Sequence, residues 1–133
     1  MTVVPNSLGA ITLFVEDAAR SKEFYARVFE APVLFEDESS VAFRFENTIV
    51  NLLTRSGAQE LIEPAPVAPG DGGSSFQLTI WVDDADAVCE ELAARGVELL
   101  NGPIDRPWGV RTACFADPDG HAWEIAQQLA KPS

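Results

Sequence analysis

Apolar and polar residues alternate along Ile11-Thr12-Leu13-Phe14-Val15 and again along Leu78-Thr79-Ile80-Trp81-Val82. Each run continues into two acidic residues and an alanine. The two eight-residue stretches match class for class at an offset of 67 residues. Self-similarity at a fixed offset marks a duplicated structural unit, so it constrains the architecture before any single element is named. Alternation predicts a strand in each copy. Asp17 and Asp84 follow at positions suited to helix N-caps, where a carboxylate accepts from the first free amides.

The first helix is predicted over 18–29, with Phe24, Val28 and Tyr25 forming its core stripe. The second is predicted over 85–95, with Ala85, Val88 and Leu92 on one face and Gly96 at the C′ position. Three short strand candidates follow each helix: 33–36, 41–46 and 48–54 in the first copy, and 97–100, 111–116 and 121–127 in the second. Asp117-Pro118-Asp119-Gly120 is a strong turn signal between the last two. The unit is βαβββ, written twice, which places the chain in the α+β class.

Residues 64–75 separate the copies. Their prolines and then glycines fit neither a helix nor a strand interior, so they read as a linker, or as a loop able to lap over a site. Module 1 then covers about 8–63 and module 2 about 76–129 of one domain spanning 1–133, and 130–133 form a short tail.

Side chains alternate across a strand. If Ile11, Leu13 and Val15 face the first helix, then Ala10, Thr12 and Phe14 point the other way. In the repeat, Leu78, Ile80 and Val82 face the helix while Gln77, Thr79 and Trp81 do not. Asn51 and Glu124 fall on the non-helix face of each copy's last strand, opposite Leu52 and Ile125. A carboxylate between Trp123 and Ile125 is costly or useful if both faces are covered.

A chain of 133 residues with 47% hydrophobic content is one domain by size, with enough apolar side chains for a real core. No apolar run approaches a membrane span. Residues 1–9 carry neither a basic start nor an apolar stretch, so no signal peptide is expected and the cytoplasm is the default. A net charge of −12 argues against nucleic-acid binding, which needs basic side chains to displace counterions. The same charge suits solubility, and it is compatible with cationic small ligands. Cys89 and Cys114 make no disulfide framework and read as small core residues.

The run Asp117-Pro118-Asp119-Gly120-His121-Ala122-Trp123-Glu124-Ile125-Ala126-Gln127, preceded by Pro107-Trp108-Gly109-Val110-Arg111, resembles the glyoxalase/bleomycin-resistance/extradiol-dioxygenase (vicinal oxygen chelate) superfamily. The resemblance spans nearly the whole chain and is specific for the fold, much less for the reaction. It implies two βαβββ modules whose mixed sheets curl into a cup or open barrel with the helices outside. It also implies a homodimer in which each cup borrows strands from both chains.

Metal-dependent relatives place four ligands at the start of each module's first strand and in the middle of each last strand, usually His, Glu, His, Glu. Carried over, these positions are Ala10, Asn51, Gln77 and Glu124. Only Glu124 is a strong ligand. Asn51 and Gln77 offer neutral carbonyl oxygens, and Ala10 offers nothing. His121, the one histidine, shares a face with Trp123 opposite Glu124 and reads as turn-flanking. A catalytic first-row metal usually needs about three protein ligands. The expectation is therefore no metal and no cofactor.

The implied cup lining is Thr12, Phe14, Asn51, Leu53, Gln77, Thr79, Trp81 and Glu124, with Trp108 and Arg111 near the rim. Aromatic faces with a few polar groups describe a small-molecule site, although Phe14 and Trp81 could equally fill the space as core. A segment like Pro107–Arg111 also recurs in relatives that sequester aromatic or glycopeptide antibiotics. Trp108 would stack on a planar ligand, and Arg111 would pair with a carboxylate or with Glu124. The alternative there is a Trp capping the barrel end and an Arg paired with Asp117 or Asp119. The reading is a metal-free protein that binds an aromatic or cationic small molecule, with sequestration of a compound such as an antibiotic as one form of that role. One rival is a glyoxalase-like lyase or isomerase with Glu124 as general base. Another is a subunit-interaction domain with a filled cup.

Overall fold

The computed structural model describes residues 4 and 6–129. The tail at 130–133 and most of the first five residues lie outside that range. The chain divides between Pro69 and Gly70 into two compact units, each built around one mixed four-stranded sheet.

In the first unit the order along the chain is β1 (Ala10–Val15), α1 (Ala18–Phe29), β2 (Val33–Glu36), β3 (Ser40–Arg44), β4 (Ile49–Thr54) and α2 (Arg55–Ile62). The sheet order is β1-β4-β3-β2, with β1 parallel to β4 and the other pairs antiparallel. Asp17 caps α1, its Oδ1 accepting from the amides of Ala19 at 2.9 Å and Arg20 at 3.2 Å. The helix buries Ser21, Phe24, Tyr25 and Val28. Its core stripe packs on the sheet face that carries Leu13, Val15, Val41, Phe43, Val50 and Leu52, all buried. Tyr25, fully buried, lies 6.1 Å from the Phe43 ring and 5.4 Å from that of Phe24.

The second unit repeats the plan: β5 (Gln77–Trp81), α3 (Ala85–Ala94), β6 (Asn101–Arg106), β7 (Val110–Ala116) and β8 (Ala122–Gln128), in sheet order β5-β8-β7-β6. Asp84 caps α3 by accepting from Ala87 N at 3.1 Å. At the other end Gly96 adopts φ +82, with Gly96 N bonded to Ala93 O and Val97 N to Leu92 O. This paired closure needs a left-handed residue, which explains the glycine. Gln127 Oε1 accepts from Ala85 N at 2.8 Å, tying α3 to β8. The helix therefore lies on the sheet face shared by Gln127, Ile125, Trp123, Ala113 and Phe115.

The prediction of 85–95 for the second helix runs one residue past its end, and its buried face is Ala85, Cys89 and Leu92, with Cys89 taking the place expected of Val88. The predicted strand at 97–100 does not form. Val97 is buried as part of the helix stop, and pairing begins at Asn101. β6 runs through Gly102-Pro103, with its register to β7 shifting between Asn101 and Ile104. Pro is tolerated there because β6 is an edge strand. Gly102 has φ +94, and a Cβ there would stand 2.5 Å from Thr112 O and 2.6 Å from Ala113 Cα. The helix α2 was not anticipated. Thr54 starts it by accepting from Gly57 N at 3.2 Å. Among the described residues no helix is long and apolar enough to cross a membrane.

Candidate functional site

The parity expected from the sequence is present in both sheets. In the first, Leu13 and Val15 are buried against α1, while Thr12 is exposed and Phe14 half-buried on the opposite face. Thr12 stands beside Asn51, and Phe14 beside Leu53, across the parallel β1–β4 pair. Leu53 is no open lining residue. It is 8% exposed, and α2 passes close enough that a Cβ on Gly57 would sit 3.0 Å from its Cδ1. The Leu53 end of that face is thus covered by α2.

In the second unit the face away from α3 carries the candidate chemistry. Thr79 pairs with Glu124 and Gln77 with Ala122 across β5–β8. Cys114 pairs with Glu124 across β7–β8, and Thr112 with Ala126. Glu124 therefore sits between Thr79 and Cys114 on one face. Thr79 Oγ1 donates to Glu124 Oε1 at 2.9 Å, and Gln77 Nε2 lies 3.8 Å from Cys114 Sγ. No other hydrogen bond or ion pair reaches Glu124 among the described residues. A half-buried carboxylate with one neutral donor keeps its remaining lone pairs for a ligand.

Trp81 is 60% exposed at the far end of β5, beside Ala126. It opens onto a shallow concavity of about 430 Å³ lined also by Val82, Asp83 and Gln128. A free indole face beside an exposed carboxylate suits a planar or cationic group.

Arg111 does not reach Glu124. It shares parity with Ala113 and Phe115, so it lies on the α3 side of the sheet. Its Nε donates to Asp105 Oδ1 at 2.6 Å and its Nη1 to Asp86 Oδ2 at 3.1 Å. Neither the expected Arg111–Glu124 pair nor the alternative pair with Asp117 or Asp119 forms. The Arg111 guanidinium holds the Asp105 carboxyl below its usual range, chiefly through the hydrogen bond. Trp108 is 71% exposed in the β6–β7 turn, where Gly109 takes φ +89 and bonds Arg106 O.

The arginine on the Glu124 face is Arg106, which sequence reasoning overlooked. Its Nε donates to Thr112 Oγ1 at 2.9 Å, and its Nη2 lies 3.5 Å from Asn101 Oδ1. Cys114 was likewise expected in the core, yet it is half-exposed beside Glu124. The signal for Cys114 was the Asp117–Gly120 turn, whereas Arg106 depends on the β6–β7 register, which no such turn announces. Pairing of Ala116 with Ala122 puts even-numbered residues of both strands on one face.

His121 sits within that turn. Its Nδ1 lies 2.8 Å from Asp117 Oδ2, and Asp117 Oδ1 accepts from the amides of Asp119 and His121. The imidazole therefore braces the turn. At the family's four ligand positions the residues do not fit a first-row metal. Within the second unit only Glu124 is a strong donor, and Gln77 reaches toward a thiol. Among the described residues, no three His, Cys, Asp or Glu side chains gather into a metal-holding group.

Known proteins agree with this architecture. An uncharacterised protein of Mycobacterium bovis is 25% identical over 122 residues, covering 88% of this chain and 80% of the relative. The crystal structure of a glyoxalase/bleomycin resistance protein/dioxygenase from Nocardioides superposes with a TM-score of 0.86 at 25% identity, covering 99% of this chain and 91% of the other. A glyoxalase-related enzyme from Fulvimarina pelagi superposes with a TM-score of 0.79 at 26% identity, covering 93% and 89%. The family model for the Glyoxalase/Bleomycin resistance protein/Dioxygenase superfamily matches residues 7–125. With both βαβββ units accounted for, the chain belongs to the glyoxalase/bleomycin resistance protein/dioxygenase superfamily.

Proposed function

We propose that this protein binds a small, partly aromatic molecule on the helix-free face of its second sheet without using a metal. The observation that carries this reading is Glu124. It is half-buried, hydrogen-bonded only by Thr79 among the described residues, and shares its face with the exposed indole of Trp81. Glu124 and Asp83 suit a ligand with a donor or cationic group, and Trp81 suits its ring. Thr12, Phe14 and Asn51 hold the equivalent positions on the first unit's own sheet. Sequestration of such a molecule requires no bond-making, and a donor set of Glu124 and neutral amides supports a role without metal chemistry.

The reading extends to a cytoplasmic homodimer. Val33, Leu34 and Phe35 are 42%, 43% and 56% exposed on the edge strand β2, an apolar strand edge that a second copy would cover. The enzyme reading, with Glu124 as general base, makes a different prediction. Glu124→Gln removes the base but keeps the shape, so a lyase or isomerase loses turnover while a sequestering protein keeps most of its binding. Calorimetric titration of wild type and E124Q with the same ligand, alongside an assay for its conversion, separates the two. Conversion of the ligand by wild type and its loss in E124Q contradict sequestration.

A further inference from the structure

The half-buried arginines Arg55, Arg95 and Arg111 each contact a carboxylate: Glu16, Glu91, and Asp105 with Asp86. Arg106 is half-buried too, but among the described residues its contacts are Thr112 Oγ1 and Asn101 Oδ1, both neutral. On a chain of net charge −12, a sheltered guanidinium with no carboxylate is an uncompensated cation among many available anions. Its position adds to this. Asp105 and Arg106 alternate across β6, so Asp105 meets Arg111 on the α3 side while Arg106 lies over Thr112 on the Glu124 side.

The register places the parts. Trp81, Ala126 and Thr112 form one row across β5, β8 and β7; Thr79, Glu124 and Cys114 form the next. Trp81 and Thr112 therefore flank the small Ala126, with Arg106 reaching over Thr112 from β6, and Thr112 is the diagonal neighbour of Glu124, about 7–8 Å away at the backbone. The Thr112 bond uses only the Nε–H of Arg106, which fixes the guanidinium plane and leaves Nη protons for a planar, bidentate acceptor.

We propose that Arg106, oriented by Thr112 and Asn101, is a carboxylate-binding subsite, so that the ligand of this face carries a carboxylate alongside its ring and the donor that meets Glu124. The inference rests on the small-molecule reading of that face. It narrows the ligand from a simple cation to an aromatic carboxylic acid with a hydroxyl or ammonium group within one residue row of the carboxylate.

The test uses the full chain and two isosteric probes, benzoate and benzamide. The Arg106 Nε–Hε and Trp81 indole resonances are followed by NMR, with Arg106 identified from the spectrum of R106K. Benzoate is expected to shift both signals and to bind about tenfold more tightly than benzamide, with a preference that falls as salt is added. R106Q is expected to equalise the two probes, and R106K, which retains the charge, to restore part of the preference. The proposal is overturned if wild type binds both probes equally, if R106Q keeps the preference, or if benzoate to about 50 mM, well above an ordinary weak dissociation constant, leaves Arg106 unmoved. The wild-type comparison stands even if R106Q fails to fold. Benzoate failing while neutral or cationic rings still raise the melting temperature overturns the subsite alone. Failure of rings of every charge sinks the small-molecule reading as well.

Discussion

Thr79 lies directly beside Glu124 across the parallel β5–β8 pair, and its hydroxyl donates to Glu124 Oε1 at 2.9 Å. The first unit holds the same register with different chemistry, for there Thr12 lies beside Asn51. The two units share the register, and the second carries a carboxylate where the first carries an amide.

Thr79→Val removes the donor and keeps the β-branched shape. Because the pair is largely exposed, the stability loss stays below about 1 kcal/mol, less than a buried charge-assisted bond would cost. The larger effect falls on ligand affinity, since Glu124 is no longer held in place. Thr12→Val, whose hydroxyl makes no hydrogen bond among the described residues, changes stability by less than about 0.5 kcal/mol. Urea denaturation of both variants checks the contrast.

Arg111 belongs to the α3 side, so Arg111→Gln should leave ligand binding intact and alter the acid limb of stability. The Asp105 carboxyl is held below its ordinary value by Arg111. A carboxylate depressed in the folded state contributes stability above its unfolded pKa of about 3.9, and that contribution disappears as pH falls through the lower folded value. Wild type and R111Q should therefore differ at neutral pH and converge in strong acid. Melting curves from neutral pH down to that limit check it, and an equal difference at every pH counts against it.

Gly102 and Gly109 both take positive φ, but only Gly102 is crowded. Gly102→Ala drives a Cβ into Thr112 O and Ala113 Cα on the neighbouring strand, and is expected to destabilise by about 2–4 kcal/mol. Nothing lies within 4 Å of a Cβ at Gly109, so Gly109→Ala costs only the left-handed backbone, about 1–2 kcal/mol. Equal losses in denaturant unfolding would refute the close approach of β6 to β7.

Cys114 and Cys89 should differ in reactivity. Cys89 is buried in α3, and burial, reinforced by Asp86, pushes its thiol up. Cys114 is half-exposed beside Glu124. Mass-mapped alkylation of the native protein at mildly alkaline pH should label Cys114 first and Cys89 only on unfolding. A ligand on that face should slow labelling of Cys114 alone.

The repeat, both main helices and the faces of β1, β5 and β8 were legible because alternation and capping act locally. Asp17, Asp84 and Gly96 announce their roles within a few residues. β6 was not legible, since Gly102-Pro103 reads as a loop and pairs only because an edge strand tolerates the missing amide. The exchange of Arg111 for Arg106 has a different cause. A side chain's face depends on hairpin register, and a one-residue error reverses it. Helix α2 escaped notice because its amphipathic turn begins with no break after β4.

Thermal unfolding of the metal-stripped protein against a panel of small aromatic acids, amines and neutral rings tests the central claim most directly. A ligand that binds only the native state must raise the melting temperature. At least one ring compound is expected to raise it by several degrees in the presence of chelator, with most of the shift kept in E124Q. A panel in which no compound shifts the transition, or in which shifts appear only after a divalent metal is restored, would contradict metal-free binding at Glu124.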